Sequence, residues 1–165
     1  MNKVDGIRLK GSFEGVLRHA DGTEEVVRKD NLIVNAGFDL IFERLFQTQN
    51  DNSQNKALKY IAVGTGTNAA APEQTKLTNF LAAQYAQYFH TNGTKECKLV
   101  ATFDTGNATG AITEAAVCTQ GADGQSPNAD NNYKIIDRVT FPVVNKGTED
   151  VYTVTFKFVL GELTG

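Results

Sequence analysis

Tryptophan is absent, methionine occurs once, and 165 residues hold only two cysteines, two histidines and three prolines. Each scarcity removes a class of protein. A single methionine cannot line the pliable groove of a promiscuous binder, and three prolines make no Pro-rich linker. Cys97 and Cys118 are too few for a disulfide scaffold, and their spacing fits no zinc pattern. His19 and His90 lie in separate segments, so neither a metal cluster nor a catalytic triad has a candidate set. His19 is expected as a solvated turn residue and His90 as a strand-end residue. The net charge is −3 and no basic cluster exceeds Arg28-Lys29, which leaves no electrostatic footprint for nucleic acid or an anionic membrane. No apolar run approaches the roughly 20 residues of a membrane span. The first residues lack the apolar stretch of a secretory signal, so synthesis and folding in a cytoplasm are expected.

What is present describes a folded chain. Hydrophobic residues make up 41% and charged residues 21%, which separates it from the low-hydrophobicity, high-charge composition of disorder. The length suits one domain spanning 1–165, with ten phenylalanines as the bulky core material. Within it, residues 1–30 read as an N-terminal hairpin and candidate attachment arm, and residues 31–160 as the core module.

The hairpin follows from Ile7, Leu9, Phe13 and Leu17 alternating with polar residues, then Asp21-Gly22, then Glu25-Val26-Val27-Arg28. After Asn35, a plausible N-cap, the spacing of Phe38, Ile41, Phe42 and Leu45 predicts a short amphipathic helix. A polar loop over 47–55 separates it from a strand over 58–63. Pro72 is placed to open a brief helix carrying Leu77, Phe80 and Leu81. Strands are expected over 84–91, 98–103, 111–118, 133–144 and 151–160, with Tyr152, Val154, Phe156, Phe158 and Leu160 sharing one face of the last. Residues 120–132 form a long polar loop. Short strands with hairpin turns and no strand–helix alternation indicate a mainly β fold, an antiparallel β-sandwich or open barrel with one or two short inserted α-helices.

Three patterns invite a chemical reading. Gly64-Thr65-Gly66-Thr67-Asn68-Ala69 fits G-x-G-x-x-A after a strand, the spacing that brings backbone up to a pyrophosphate. Pro72 and the polar or aromatic segments nearby do not suit a dinucleotide fold, so a turn whose glycines supply positive φ is the favoured reading. Asp123, Asp130 and Asp137 with Asn128, Asn131 and Asn132 offer oxygen ligands without EF-hand spacing, and a solvated loop is favoured over a calcium site. Glu114, flanked by small apolar residues, is expected in a structural ion pair with Arg138. Cys97 and Cys118 sit near the outer ends of two strands joined by a turn over 104–110. A hairpin register there would bring them opposite each other, although two reduced, mostly buried thiols are favoured. No catalytic, cofactor-binding or metal residue is assigned.

The order of features is more specific than any one of them. Asn31-Leu32-Ile33-Val34-Asn35-Ala36-Gly37 leads into a helix. Leu58 through Gly66 is followed by an alanine/proline stretch and Leu77-Thr78-Asn79, then Ile112 through Val117, then Asp137-Arg138-Val139-Thr140-Phe141 and Lys146. This order resembles a domain common in tailed-bacteriophage virion proteins of the tail-fibre, tail-collar, baseplate and head-fibre or decoration types, over about residues 31–160. The resemblance implies a non-enzymatic, oligomerising structural subunit in the virion. Its implied partners are other virion proteins, with no nucleic acid, no membrane and no cofactor. Gly64, Gly66, Glu114 and Arg138 are its fold markers or interaction candidates. Members often continue into a long fibrous or receptor-binding region. This sequence ends at Gly165, which leads to the expectation of an adaptor, collar or decoration subunit. A second reading is a carbohydrate- or receptor-binding β-sandwich that stacks a host surface glycan on Tyr85, Tyr88, Phe89 and Tyr133. The alternative for those four rings is core.

Overall fold

A computed structural model of the chain describes residues 6–46, 58–121, 126–128 and 132–162, and among these described residues alternating apolar side chains build ten strands. The strands are β1 (Ile7–Arg18), β2 (Glu24–Asp30), β3 (Leu32–Ile33), β4 (Leu58–Gly64), β5 (Phe80–Tyr85), β6 (Gln87–His90), β7 (Glu96–Phe103), β8 (Gly110–Thr119), β9 (Asp137–Lys146) and β10 (Val151–Glu162), with one helix, α1 (Asn35–Phe46). Sheet 1 has the order β2-β1-β10-β7-β6 and sheet 2 the order β3-β9-β8-β4-β5, all pairings antiparallel. The architecture is a β-sandwich.

Phenylalanine fills the space between the sheets. Phe13 of β1 stacks on Phe141 of β9 with ring centroids 4.6 Å apart, and meets Phe156 of β10 edge-on at 5.4 Å. Tyr152, Val154, Phe156 and Phe158 all point inward as the alternation predicts, while Leu160 is exposed. A second, smaller core of Val34, Ala62, Leu77, Ala83, Ala116, Cys118, Tyr133 and Ile135 lies on the opposite face of sheet 2, beneath the segments before β5 and β9. Sheet 2 is therefore buried on both faces.

The N-terminal hairpin joins the sandwich, with β1 paired to β10 along its whole length and Phe13 and Leu17 buried in the main core. Other expectations need correction. The helix expected after Pro72 is absent. Its residues form a loop and then β5, drawn onto β4 by strand pairing. The aromatic segment over 84–91 is strand, but it changes sheets at Ala86, whose N–H donates to Lys59 O at 2.8 Å. β7 and β8 also lie in different sheets, so no hairpin juxtaposes Cys97 and Cys118. Both are free thiols, half-buried and buried respectively. Helix α1 forms as predicted, yet most of its apolar stripe faces outward, with Ile41 alone of Phe38, Ile41, Phe42 and Leu45 half-buried against the main core. Gly37 and Leu40 are buried, whereas Phe38 is 47%, Phe42 61%, Leu45 69% and Phe46 75% exposed.

Sheet edges are blunted by ordinary means. β2 is highly charged, β3 spans two residues and β6 four. At β5 the Asn128 side chain acts as a surrogate strand. Its Oδ1 accepts from Ala83 N–H at 2.8 Å and its Nδ2 donates to Ala83 O at 2.7 Å.

Candidate functional site

The four segments that carry the sequence resemblance meet on the outer face of sheet 2. Their centre is Glu114 on β8, which faces that side because Ile112, Ala115 and Val117 take the inner core. Glu114 and Arg138 form the expected ion pair. The guanidinium Nε and Nη2 both lie 2.8 Å from Oε2, and both side chains are fully buried.

Backbone donors complete the carboxylate. Gly66 N–H and Asn79 N–H donate to Oε1 at 2.9 and 2.8 Å, and Thr78 N–H donates to Oε2 at 3.0 Å. The guanidinium is equally occupied. Nη1 donates to Asn68 O at 3.0 Å and to Gln74 Oε1 at 3.1 Å, and Nη2 to Asn68 Oδ1 at 3.2 Å. The pair thus pins the whole 65–79 loop to the sheet, and that loop in turn receives Asn35 N–H at Pro72 O, 2.7 Å. Desolvating two charges is costly, and only such saturation with hydrogen bonds offsets it. Every Glu114 oxygen is committed, so the arrangement is a clamp and has no free lone pair to accept a substrate's proton.

Gly64 and Gly66 serve this clamp in a way the sequence does not reveal. Neither has positive φ; among the described glycines Gly22, Gly93, Gly106 and Gly110 do. Their requirement is space. A Cβ at Gly64 would stand 2.4 Å from Asn79 O and 2.6 Å from Glu114 Oε1, and one at Gly66 2.5 Å from the same oxygen and 2.6 Å from Thr78 Cβ. The expectation of a positive-φ turn is therefore replaced by close approach of backbone to a buried carboxylate.

Asp137, next to Arg138, is a buried acid that sequence reasoning missed as such. It is fully buried; its Oδ1 accepts Val117 N–H at 2.8 Å and its Oδ2 accepts the Asn31 side-chain amide. Burial pushes its carboxyl up to about 7, against the lowering effect of those two hydrogen bonds. Asp137 also contributes to lifting the Cys118 thiol, which burial alone already drives far above the usual range. A deeply buried thiol of this kind is inert. Lys146, the last residue of the resembling pattern, is buried and donates to Asp104 O at 3.0 Å. Of the oxygen ligands weighed for calcium, Asp123, Asp130 and Asn131 lie outside the described residues, while Asp137 and Asn128 are engaged as stated. Among the described residues no group of three or more His, Cys, Asp and Glu is placed to hold a metal.

His19 departs from a simply solvated residue, since Nε2 lies 2.8 Å from Glu25 and Nδ1 3.1 Å from Asp150. His90 stands at a strand end with Nδ1 2.8 Å from Glu96 O. The four aromatics divide. Tyr133 is core at 1% exposure, whereas Tyr85, Tyr88 and Phe89 are all more than half exposed along the β5–β6 segment. Compared with family models, curated proteins and solved structures, the chain matches none.

Proposed function

We propose that this chain is a structural component of a tailed-bacteriophage virion, a small oligomerising adaptor, fibre or decoration subunit that docks onto tail, collar or capsid proteins. The observation that carries this reading is the outward apolar stripe of α1. Phe38, Phe42, Leu45 and Phe46 recur at helical spacing and are all exposed, and Phe42 stacks on Phe46 at 6.2 Å. Contiguous exposed apolar surface of this kind marks a protein–protein contact. With the sheet edges blunted, the helix offers an apolar surface suited to assembly. The ordered motifs support the specific class: they fall on β3, β4, β8 and β9 of sheet 2 and on the clamp that holds the loop next to α1.

A second reading, a carbohydrate- or receptor-binding sandwich, draws on the exposed rings of Tyr85, Tyr88 and Phe89.

Light scattering across a concentration series, together with imaging of particles that contain the protein, tests the leading proposal. Wild-type chain is expected as an oligomer and as repeated density on the particle. The double substitution Phe42→Asp/Leu45→Asp is expected to stay folded and monomeric. A wild-type protein that stays monomeric throughout and is absent from particles overturns the reading.

A further inference from the structure

β2 is a seven-residue strand at an open edge of sheet 1. The other edges offer less to a pairing strand, since β3 and β6 are shorter and β5 is closed by Asn128. Two backbone bonds fix which residues of β2 face outward. His19 N–H donates to Thr23 O at 2.9 Å, and at the other end Asn31 N–H donates to Gly11 O at 3.2 Å. Two-residue steps between those bonds make Leu17 with Glu25, Gly15 with Val27 and Phe13 with Lys29 the hydrogen-bonded pairs. Glu25, Val27 and Lys29 therefore spend their backbone groups on β1. Glu24, Val26, Arg28 and Asp30 point their N–H and C=O groups at the free edge, where another strand can take them up.

The side chains of these four lie on the outer face of the sheet, level with Arg18, Val16, Glu14 and Ser12. Acid, valine and base follow one another along it as Glu24, Val26 and Arg28, all exposed, Val26 at 44%. Run antiparallel against itself about Val26, this order is its own complement. Glu24 falls opposite Arg28 of the second copy, Val26 opposite Val26 and Arg28 opposite Glu24, and each facing pair exchanges both backbone hydrogen bonds. Glu14 already holds Arg28 through Nε–H at 2.7 Å, but a guanidinium has five N–H donors, enough for two carboxylates. Slipping the register by two residues spoils the fit. In one direction Glu25 meets Glu25; in the other Glu24 meets Asp30 twice, which offsets the Glu25–Lys29 pairs gained there.

We propose that β2 pairs antiparallel with β2 of a second copy, across a two-fold axis at Val26, and so joins two five-stranded sheets into one. The charges that deter other strands select this one. A contact confined to one strand buries well under the roughly 1,200 Å² of a stable interface, so by itself it forms only at about millimolar protein. Copies held side by side by other contacts reach such concentrations locally. The edge lies on sheet 1 and does not rest on the assembly role of α1.

The test uses the full chain carrying Phe42→Asp/Leu45→Asp, which silences the α1 contact, at roughly millimolar concentration. Val26→Cys in that background is expected to oxidise to a disulfide-linked dimer, because residues facing each other in a hydrogen-bonded pair have Cα atoms about 5.5 Å apart, inside the disulfide range. Glu25→Cys and Val27→Cys face themselves only in the slipped registers, and are expected to stay at the level that Cys97 and Cys118 set in the background chain. Resonance line widths on dilution read the charges. Glu24→Lys and Arg28→Glu are each expected to dimerise at least about tenfold more weakly, and their equimolar mixture to recover, since every introduced charge then faces its opposite. Overturning results are no dimer at millimolar concentration, cross-linking through position 25 or 27 as efficient as through 26, or a mixture no tighter than either variant alone. All of these are read with α1 disabled, and at micromolar concentration the same background stays monomeric, so the two readings fail separately.

Discussion

Gly66 donates its backbone N–H to Glu114 at 2.9 Å, and a Cβ on that same residue would stand 2.5 Å from the oxygen it donates to. Donor and obstacle are one residue, so position 66 tolerates nothing larger than hydrogen without moving the carboxylate. Gly66→Ala and Gly64→Ala are each expected to destabilise the fold by about 2–4 kcal/mol, the range for overpacking combined with a disturbed buried polar network. Gly161, with open space around its Cβ position, provides the control. Gly161→Ala is expected within about 0.5 kcal/mol of wild type. Urea unfolding separates these values, and equal effects at 66 and 161 would refute the steric account.

Removing one half of the clamp strands the other. Glu114→Gln and Arg138→Met are each expected to cost about 3–5 kcal/mol, because each leaves an uncompensated buried charge. The double variant should cost less than the sum of the two, since no lone charge remains. Arg138→Met should also speed proteolysis in the 65–79 loop, because Asn68 and Gln74 lose their donor. Additive losses with unchanged proteolysis would argue against the clamp.

Asp137 makes stability depend on pH in a direction opposite to that of most carboxylates. Its pKa in the fold is raised to about 7 from an ordinary 3.8. The native state therefore holds the proton more tightly than the unfolded chain. Stability contributed by this group is present at low pH and falls as pH rises from about 4 to about 7, by on the order of a few kcal/mol. Asp137→Asn should flatten that slope. Asn31 can accommodate the change by turning its amide, since its Oδ1 is buried without a partner. Chemical denaturation at pH 5 and pH 8 checks this. A variant that keeps the wild-type slope would count against it.

The hydroxyl of Tyr152 is buried with no hydrogen-bond partner, and it occupies the space beside Gly15, where a Cβ would lie 2.2 Å from it. Burial drives this phenol well above its ordinary pKa. An unsatisfied buried polar group costs about 1–3 kcal/mol, so Tyr152→Phe should raise stability by roughly 1 kcal/mol. A drop in thermal midpoint would mean that the hydroxyl has a partner after all.

The sequence made the strands and the ion pair legible for different reasons. Alternation along Tyr152–Phe158 fixes which side is buried wherever one face is apolar. Glu114 among small apolar residues demands a cation, and Arg138 was the available one. The stripe Phe38, Ile41, Phe42, Leu45 was legible as helix, but not that only Ile41 would meet the core, because periodicity gives the relative phase of a helix and not what covers it. The strand changes at Ala86 and between β7 and β8 were hidden because local pattern does not say which sheet a strand joins. The role of Gly64 and Gly66 was hidden because it depends on Asn79 and Glu114, distant in the chain. Asp137 passed as a loop ligand since its burial is imposed by Val117 and Asn31 from other elements.

The last strand lies at the middle of its sheet, with β1 on one side and β7 on the other. During synthesis, β1 and β7 leave the ribosome long before the segment that must separate them. Sheet 1 therefore cannot assemble from the N-terminus onward, and its closure waits for residues near 160. Until then Phe13, Leu17 and Leu99 lack their cover, so the nascent chain passes through a stage at which β1 and β7 are open to pairing with each other or with a neighbouring chain.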